Sequence, residues 1–407
     1  MVCGITLLLG LLLMVPTASA AAAKPPKLDA KSWELIDART GDVLDSHDAD
    51  THLPMASTTK MMTAYLTLRS LPMGKIVKAA DYDPTDPAES LMGLEAGQKI
   101  SVRDLLYGLI MLSGNDAAHT LAIAVSGTQE RFVARMNIAA KRLGLDDTHF
   151  TNPIGLDHKG HYTSANDLAV LGRDLMSMPK FRPIAAARTA KLRSYDPPVT
   201  IDTIDSFLVN NDWAKGIKTG HTLKAGYVLA SDGRRRATEL IATVFGTTTE
   251  EARDGESVKL LDYGFSLYDK KVPLRQNKVY TRLPVKYEDG DLKVLAARSA
   301  RIGVRKDEKL TVTNDLPDEV EGPIEAGERI GTAIVRVDGD VIAVVPLKAA
   351  EAVAKPSLVD RARGAIGKWW PLLVLLLCAI LAAGIFVIRR RRDADVQRRL
   401  KRVTRSR

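Results

Sequence analysis

The chain of 407 residues is nearly free of cysteine: Cys3 and Cys378 are the whole complement, the first within the leading 20 residues and the second within an apolar run near the other end. Everything between them is therefore without disulfide or thiolate chemistry, and an exported fold must be held by its own core, which the length permits. No His-Glu-x-x-His helix is present. The segment Asp157-His158-Lys159-Gly160-His161 is read as exposed loop histidines rather than as a zinc site. Repeats and low-complexity tracts are also lacking outside the C-terminal tail. Of the net charge of +9, +8 lies in residues 389–407, where ten Lys and Arg face only Asp393 and Asp395. The rest of the chain is nearly neutral, so the basic pI is no argument for a nucleic-acid partner.

The ends carry targeting signals. Residues 5–15 are apolar and Ala18-Ser19-Ala20 follow, the pattern of a cleavable secretory signal over residues 1–20, although no Lys or Arg precedes the apolar core. Residues 369–388 hold no charge. At about 1.5 Å per residue such a run crosses the ~30 Å hydrocarbon layer, so a transmembrane helix is expected there. Trp369 and Trp370 mark one interface and Arg389 to Arg392 the other, which puts the basic tail, 389–407, in the cytoplasm and the preceding chain outside as a single-pass membrane protein. The tail itself suits topology and contact with anionic lipid.

Between the ends, residues 32–45 read as two short strands around a Thr40-Gly41-Asp42 turn. Met61, Met62, Ala64, Tyr65 and Leu68 recur at helical spacing within residues 55–71, and residues 102–111 and 117–125 do likewise. Strand-like runs return at 216–218, 227–230 and 240–245, with an Asp232-Gly233 turn expected between the last two. A helix over 250–265 offers Val258, Leu261 and Phe265 to cover them. The expectation is an α+β domain over residues 30–268, an antiparallel sheet packed by helices. Short alternating strands over 272–350, with a turn at Asp338-Gly339-Asp340, form a small all-β domain, and residues 351–368 link it to the membrane helix.

Three distant triplets carry the chemistry: Ser57-Thr58-Thr59-Lys60, Ser113-Gly114-Asn115 and Lys218-Thr219-Gly220. One helical turn separates Ser57 from Lys60, so the amine and the hydroxyl share a face. For the lysine to take the serine proton it must be neutral, which calls for burial and a nearby cation, and Lys218 is the candidate. Gly114 is expected to allow a sharp turn that points Ser113 and Asn115 into the same cleft, Ser113 to pass a proton to a leaving amine and Asn115 to hold a substrate amide. Lys218 and Thr219 would meet a free carboxylate from a strand edge, with Gly220 letting the ligand backbone approach. The backbone N–H groups of Ser57 and His221 are placed for an oxyanion. Taken singly, each triplet is more often a helix cap or a turn, and only their combination points to acyl transfer.

With Phe150-Thr151-Asn152-Pro153-Ile154-Gly155-Leu156 and Ala225-Gly226-Tyr227 added, the pattern resembles the low-molecular-weight penicillin-binding proteins that act as serine-type D-alanyl-D-alanine carboxypeptidases, from about residue 30 to 350. The resemblance implies Ser57 as acylated nucleophile, Lys60 as its base, Ser113 and Asn115 as relay and amide ligand, and Lys218, Thr219 and Gly220 as the carboxylate-binding strand. It also implies, more loosely, Arg253 at the substrate's terminal carboxylate. Expected partners are peptidoglycan stem peptides, β-lactam antibiotics and the cell membrane, with no cofactor and no metal. Many relatives end in an amphipathic helix lying on the membrane, a departure that leaves the tail's role open. Two alternatives remain: a β-lactamase-like hydrolase, for which the expected deacylating glutamate has no evident counterpart, and a non-enzymatic sensor of wall peptides.

Overall fold

A computed structural model describes residues 24–403, so the expected signal over residues 1–20 lies outside the described residues. The chain divides into two compact units: residues up to Lys270 together with Gly303–Asp307, and Lys271–Ile302 together with the chain from Glu308 on.

In the first unit, β1 (Ser32–Asp37), β2 (Val43–His47), β3 (Ala214–Thr222), β4 (Gly226–Arg235) and β5 (Thr238–Thr247) make one sheet of order β2-β1-β5-β4-β3, every adjacent pair antiparallel. Alternation along β5 sends Ile241 and Phe245 to a large core and Leu240, Ala242 and Val244 to a smaller one on the other face. The large core is closed by α1 (Lys60–Ser70), α2 (Val102–Met111), α3 (Asn115–Ser126), α4 (Gln129–Leu143) and α5 (Ala165–Ser177). The smaller is closed by α6 (Glu250–Ser266), which buries Leu260 and Leu261. Side-chain caps set the helix starts: Ser101 accepts from Asp104 N at 3.1 Å and Thr249 from Ala252 N at 3.1 Å.

The expected turn at Asp232-Gly233 is overturned. Both residues stay in β4, opposite Ile241 and Leu240, and the chain reverses at Arg236 and Ala237, with φ of 50° and 74°. A buried strand position prevailed over the local turn preference of Asp-Gly. Gly303–Asp307, within the stretch read as all-β, belongs to the first unit. A Cβ on Gly303 would lie 2.0 Å from Thr238 Oγ1, and Arg305 pairs with Asp42 at 3.1 Å.

The second unit holds a five-stranded antiparallel sheet in the order Val279–Pro284, Asp291–Ala296, Asp340–Ala349, Arg329–Val337, Leu310–Asp315. Its hairpin turns at Asp338-Gly339, both with positive φ. A helix of 46 residues, Leu358–Val403, follows and includes Pro371, so the expected linker is helical from Leu358 on. Within it Trp370–Val396, 27 residues containing an unburied 18-residue stretch of mean hydropathy 3.0, is long and apolar enough to cross a membrane.

Candidate active site

Ser57 sits in a 3-10 turn, Ala56–Thr59, that leads into α1. Ala56 is held at φ 46°, a conformation costly for any residue with a Cβ. The backing is a chain of hydrogen bonds. Thr151 N donates to His161 Nδ1 at 3.0 Å, which leaves the proton of a neutral ring on Nε2. Nε2 therefore donates to Thr59 Oγ1 at 2.8 Å, and Thr59 Oγ1 donates to Ala56 O at 2.8 Å. Burial, then His149 and His158, brings His161 down to about 4, which keeps it neutral. The expectation of an exposed loop histidine is therefore corrected for His161: it is 6% exposed and supports the nucleophile turn.

Lys60 Nζ lies 2.9 Å from Ser57 Oγ, 2.6 Å from Asn115 Oδ1 and 2.7 Å from Ile154 O, with the residue fully buried. Burial, and after it the charge of Lys218, pushes its pKa well below the usual lysine range, with Glu89 and Asp116 pulling the other way. A neutral amine has two N–H groups and one lone pair. The two carbonyl oxygens can only accept, so they take both protons and leave the lone pair aimed at the Ser57 hydroxyl. The Ile154 carbonyl is presented by a tight loop in which Asn152 Oδ1 accepts from Ile154 N at 3.1 Å and Gly155 N at 2.6 Å. Gly155, at φ 105°, lies so close to the nucleophile turn that a Cβ would meet Ala56 O at 2.0 Å.

The second triplet joins α2 to α3. Here the expectation for Gly114 is corrected: the left-handed residue is Ser113, at φ 59°, whereas Gly114 has φ −58°. Gly114 is needed for space, since a Cβ would meet Asp116 Oδ1 at 2.9 Å and Met92 N at 3.1 Å. Ser113 is 4% exposed and Asn115 5%. Asn115 spans two partners, accepting from Lys60 and donating through Nδ2 to Glu89 Oε2 at 2.7 Å.

The third triplet lies on β3, the edge strand of the sheet, with Lys218, Thr219 and Gly220 opposite Ala230, Leu229 and Val228. Gly220 has a role beyond the one expected of it. An added Cβ would meet Ala56 Cβ at 3.1 Å and Ser57 N at 3.1 Å, so its bareness lets the strand approach the nucleophile turn. Lys218 is buried and donates to Thr219 O at 2.9 Å; burial lowers it to about 8, opposed by Asp205 and aided by Arg253. His221 is exposed and stacks on Tyr227, ring centroids 4.0 Å apart. Arg253 is 2% exposed, and its guanidinium already bonds Glu250 at 3.0 Å, Asp254 at 2.7 Å and Ser206 at 3.0 Å.

Sequence reasoning missed Glu89, Asn152, Ile154 O and His161 as parts of this centre. Asn152 and Ile154 stand in the quoted Asn152-Pro153-Ile154-Gly155 run, whose local turn chemistry was the available signal. A cavity of about 600 Å³, lined by Arg39, Arg142, Arg173 and Arg182 among others, contains none of these groups. The buried amine beside a hydroxyl marks the reactive centre better than volume does.

Residues 19–249 match the family model of D-alanyl-D-alanine carboxypeptidase, and residues 268–355 that of the penicillin-binding protein 5 C-terminal domain. The chain is 31% identical to D-alanyl-D-alanine carboxypeptidase DacF of Bacillus subtilis over 379 residues, 89% of this chain and 97% of the relative. It is 33% identical to DacA of Escherichia coli over 344 residues, 79% and 83% of the two chains. Among solved structures, penicillin-binding protein 5 of Haemophilus influenzae aligns with a TM-score of 0.57 at 29% identity, covering 82% of this chain and 99% of that one.

Proposed function

Because the chain belongs to the D-alanyl-D-alanine carboxypeptidase family, we infer the division of labour within its site from that activity. The protein is a serine-type D-alanyl-D-alanine carboxypeptidase that removes the terminal D-alanine of peptidoglycan stem pentapeptides and binds penicillins covalently. Ser57 Oγ attacks the carbonyl carbon of the penultimate D-alanine while its proton passes to the lone pair of Lys60. The backbone N–H groups of Ser57 and His221 hold the oxyanion. The C–N bond then breaks, and the departing amine takes its proton by way of Ser113, which sits in the turn before Asn115 with φ 59°. Water hydrolyses the Ser57 ester and returns the enzyme. A β-lactam acylates Ser57 in the same way, but its opened ring stays tethered, so the ester persists.

Lys218 and Thr219 receive the substrate's terminal carboxylate along the free edge of β3, and Gly220 brings that edge against Ser57. Arg253, whose charge also bears on Lys218, is the second cation for that carboxylate. Asn115 orients Lys60 as well as the substrate amide. The 369–388 run anchors the enzyme as a single-pass protein, with the catalytic unit outside and the basic tail in the cytoplasm.

The observation that carries the reading is the 2.9 Å contact between a fully buried Lys60 and Ser57. The full-length protein in detergent should release D-alanine from a peptide ending in D-Ala-D-Ala, and Ser57→Ala should release none. Release that survives in Ser57→Ala would reject this mechanism, and rapid catalytic loss of penicillin without D-alanine release would favour a β-lactamase.

A further inference from the structure

The segment from Tyr82 to Leu94, ahead of α2, wraps one carboxylate. Glu89 Oε1 accepts from Thr85 N and Thr85 Oγ1, each at 2.9 Å, and Oε2 accepts from the Tyr82 hydroxyl. The same carboxylate reaches out of its segment to Asn115 Nδ2 at 2.7 Å. The segment is itself tied to the start of α3: Asn115 N donates to Ser90 O at 2.8 Å, and the Asp116 carboxylate accepts from Met92 N, Gly93 N and Leu94 N.

We propose that Glu89 is a positioning residue for acylation, fixing the Asn115 amide with its oxygen toward Lys60 so that the lone pair of the neutral lysine stays on Ser57. The proposal rests on Ser57 and Lys60 being nucleophile and base.

An asparagine amide is nearly symmetric in shape, and only its hydrogen-bond partners decide which end is oxygen. A carboxylate accepts and never donates. With Glu89 on one end, Asn115 must present Nδ2 to it and Oδ1 to Lys60. Turned over, the amide would set oxygen against carboxylate at one end and N–H against N–H at the other. One of the two carbonyl acceptors that hold the lysine protons would be gone, and the lone pair would be free to swing from Ser57 to the amide N–H.

Glu89 acts on the base through charge as well. The charged groups facing Lys60 are Lys218 on β3, Asp116 on α3 and Glu89; the two carboxylates raise its pKa and Lys218 lowers it. Against the opposing effect of desolvation, the bonds from Tyr82, Asn115 and Thr85 hold Glu89 down to about 2, so it is ionised across the working range. Neutralising it leaves Lys218 and Asp116 in place and makes the lysine less basic, so the acid limb of acylation moves to lower pH.

The test is the rate of acylation by a fluorescent penicillin, followed against pH for the full-length wild type, Glu89→Gln and Glu89→Ala, with Ser57→Ala as a blank. Glu89→Gln can still accept from Asn115. It should keep a plateau rate within about threefold of the wild type, with the acid limb about one pH unit lower. Glu89→Ala should show the same displacement and a plateau about 10- to 100-fold lower, since the base is then misplaced. A residue that merely pins its own loop would lower the plateau without moving the limb. A limb unmoved in Glu89→Gln, or equal plateaus for the two variants, overturns the proposal. Absence of Ser57-dependent labelling in the wild type overturns the acyl-enzyme reading beneath it, a result distinct from either.

Discussion

The two units bury different kinds of side chain. In the first, Lys60, Lys218, Arg253, Glu34, Asp116, Asp167 and Asp232 are all less than a tenth exposed, whereas from Lys271 onward no polar or charged side chain is buried among the described residues. The second unit's interior is made of residues such as Leu292, Val294, Ala333, Val335, Val345 and Leu347. Burying a charge is costly unless it is bonded or discharged, so a fold keeps such groups where chemistry requires them. The second unit keeps its ion pairs, such as Lys286 with Glu321, outside an apolar interior. The first gives up stability to hold an unprotonated amine against a hydroxyl.

The sharpest way to break that contrast is to remove the amine. Lys60→Met should lower acylation by penicillin about 10³-fold with only a small change in Tm, because removing the buried amine offsets the loss of its bonds to Asn115 and Ile154; penicillin labelling and calorimetry together check this. A large drop in Tm would mean that Lys60 is chiefly a structural group. The converse change lies in the second unit. Leu347→Ala should cost about 2–5 kcal/mol of that unit's stability, read by denaturant unfolding, while labelling of Ser57 per folded molecule stays at the wild-type rate.

The smallest effect concerns pH. Both carboxylate oxygens of Asp232 are buried, and burial, reinforced by the neighbouring Glu239 carboxylate, pushes the group well above the usual carboxylate range. Burial, then Asp50 and Asp167, likewise raises Glu34 to about 7. The unfolded chain releases these protons at ordinary carboxylate values and the folded chain keeps them, so stability falls as pH rises from there, the Glu34 part being complete once pH passes about 7. Asp232→Asn removes one source of that decline, and its Tm should fall less steeply with pH than the wild type's. Parallel Tm curves would mean that Asp232 ionises normally.

What the sequence disclosed was set by range. The Ser57–Lys60 relation is one helical turn and follows from local geometry, and the strand containing Lys218 follows from apolar alternation. The antiparallel sheet packed by helices, followed by an all-β part, was legible from the same periodicities. Contacts that join distant segments were not. Ile154 lies 94 residues from Lys60 and His161 lies 102 from Thr59, and nothing local announces either pairing. Glu89 sits in a polar loop where a carboxylate reads as solvated. The left-handed backbones of Ala56 and Ser113 were hidden too, since neither is a glycine and only the surrounding bonds hold them there. At Asp232-Gly233 the local signal was strong and misleading, because strand pairing overrode it.

The position of β3 at the border of its sheet has one more consequence. A strand that must greet an extended visitor cannot be capped by a neighbour, so its backbone remains open to unwanted self-pairing. Shielding here is a matter of access: Lys218 to Gly220 are buried, and the nucleophile turn crowds Gly220. A slender single chain can slide into such a slot, whereas the broad border of another folded molecule cannot, so the crowding that aligns the reactive serine also guards the enzyme against clumping.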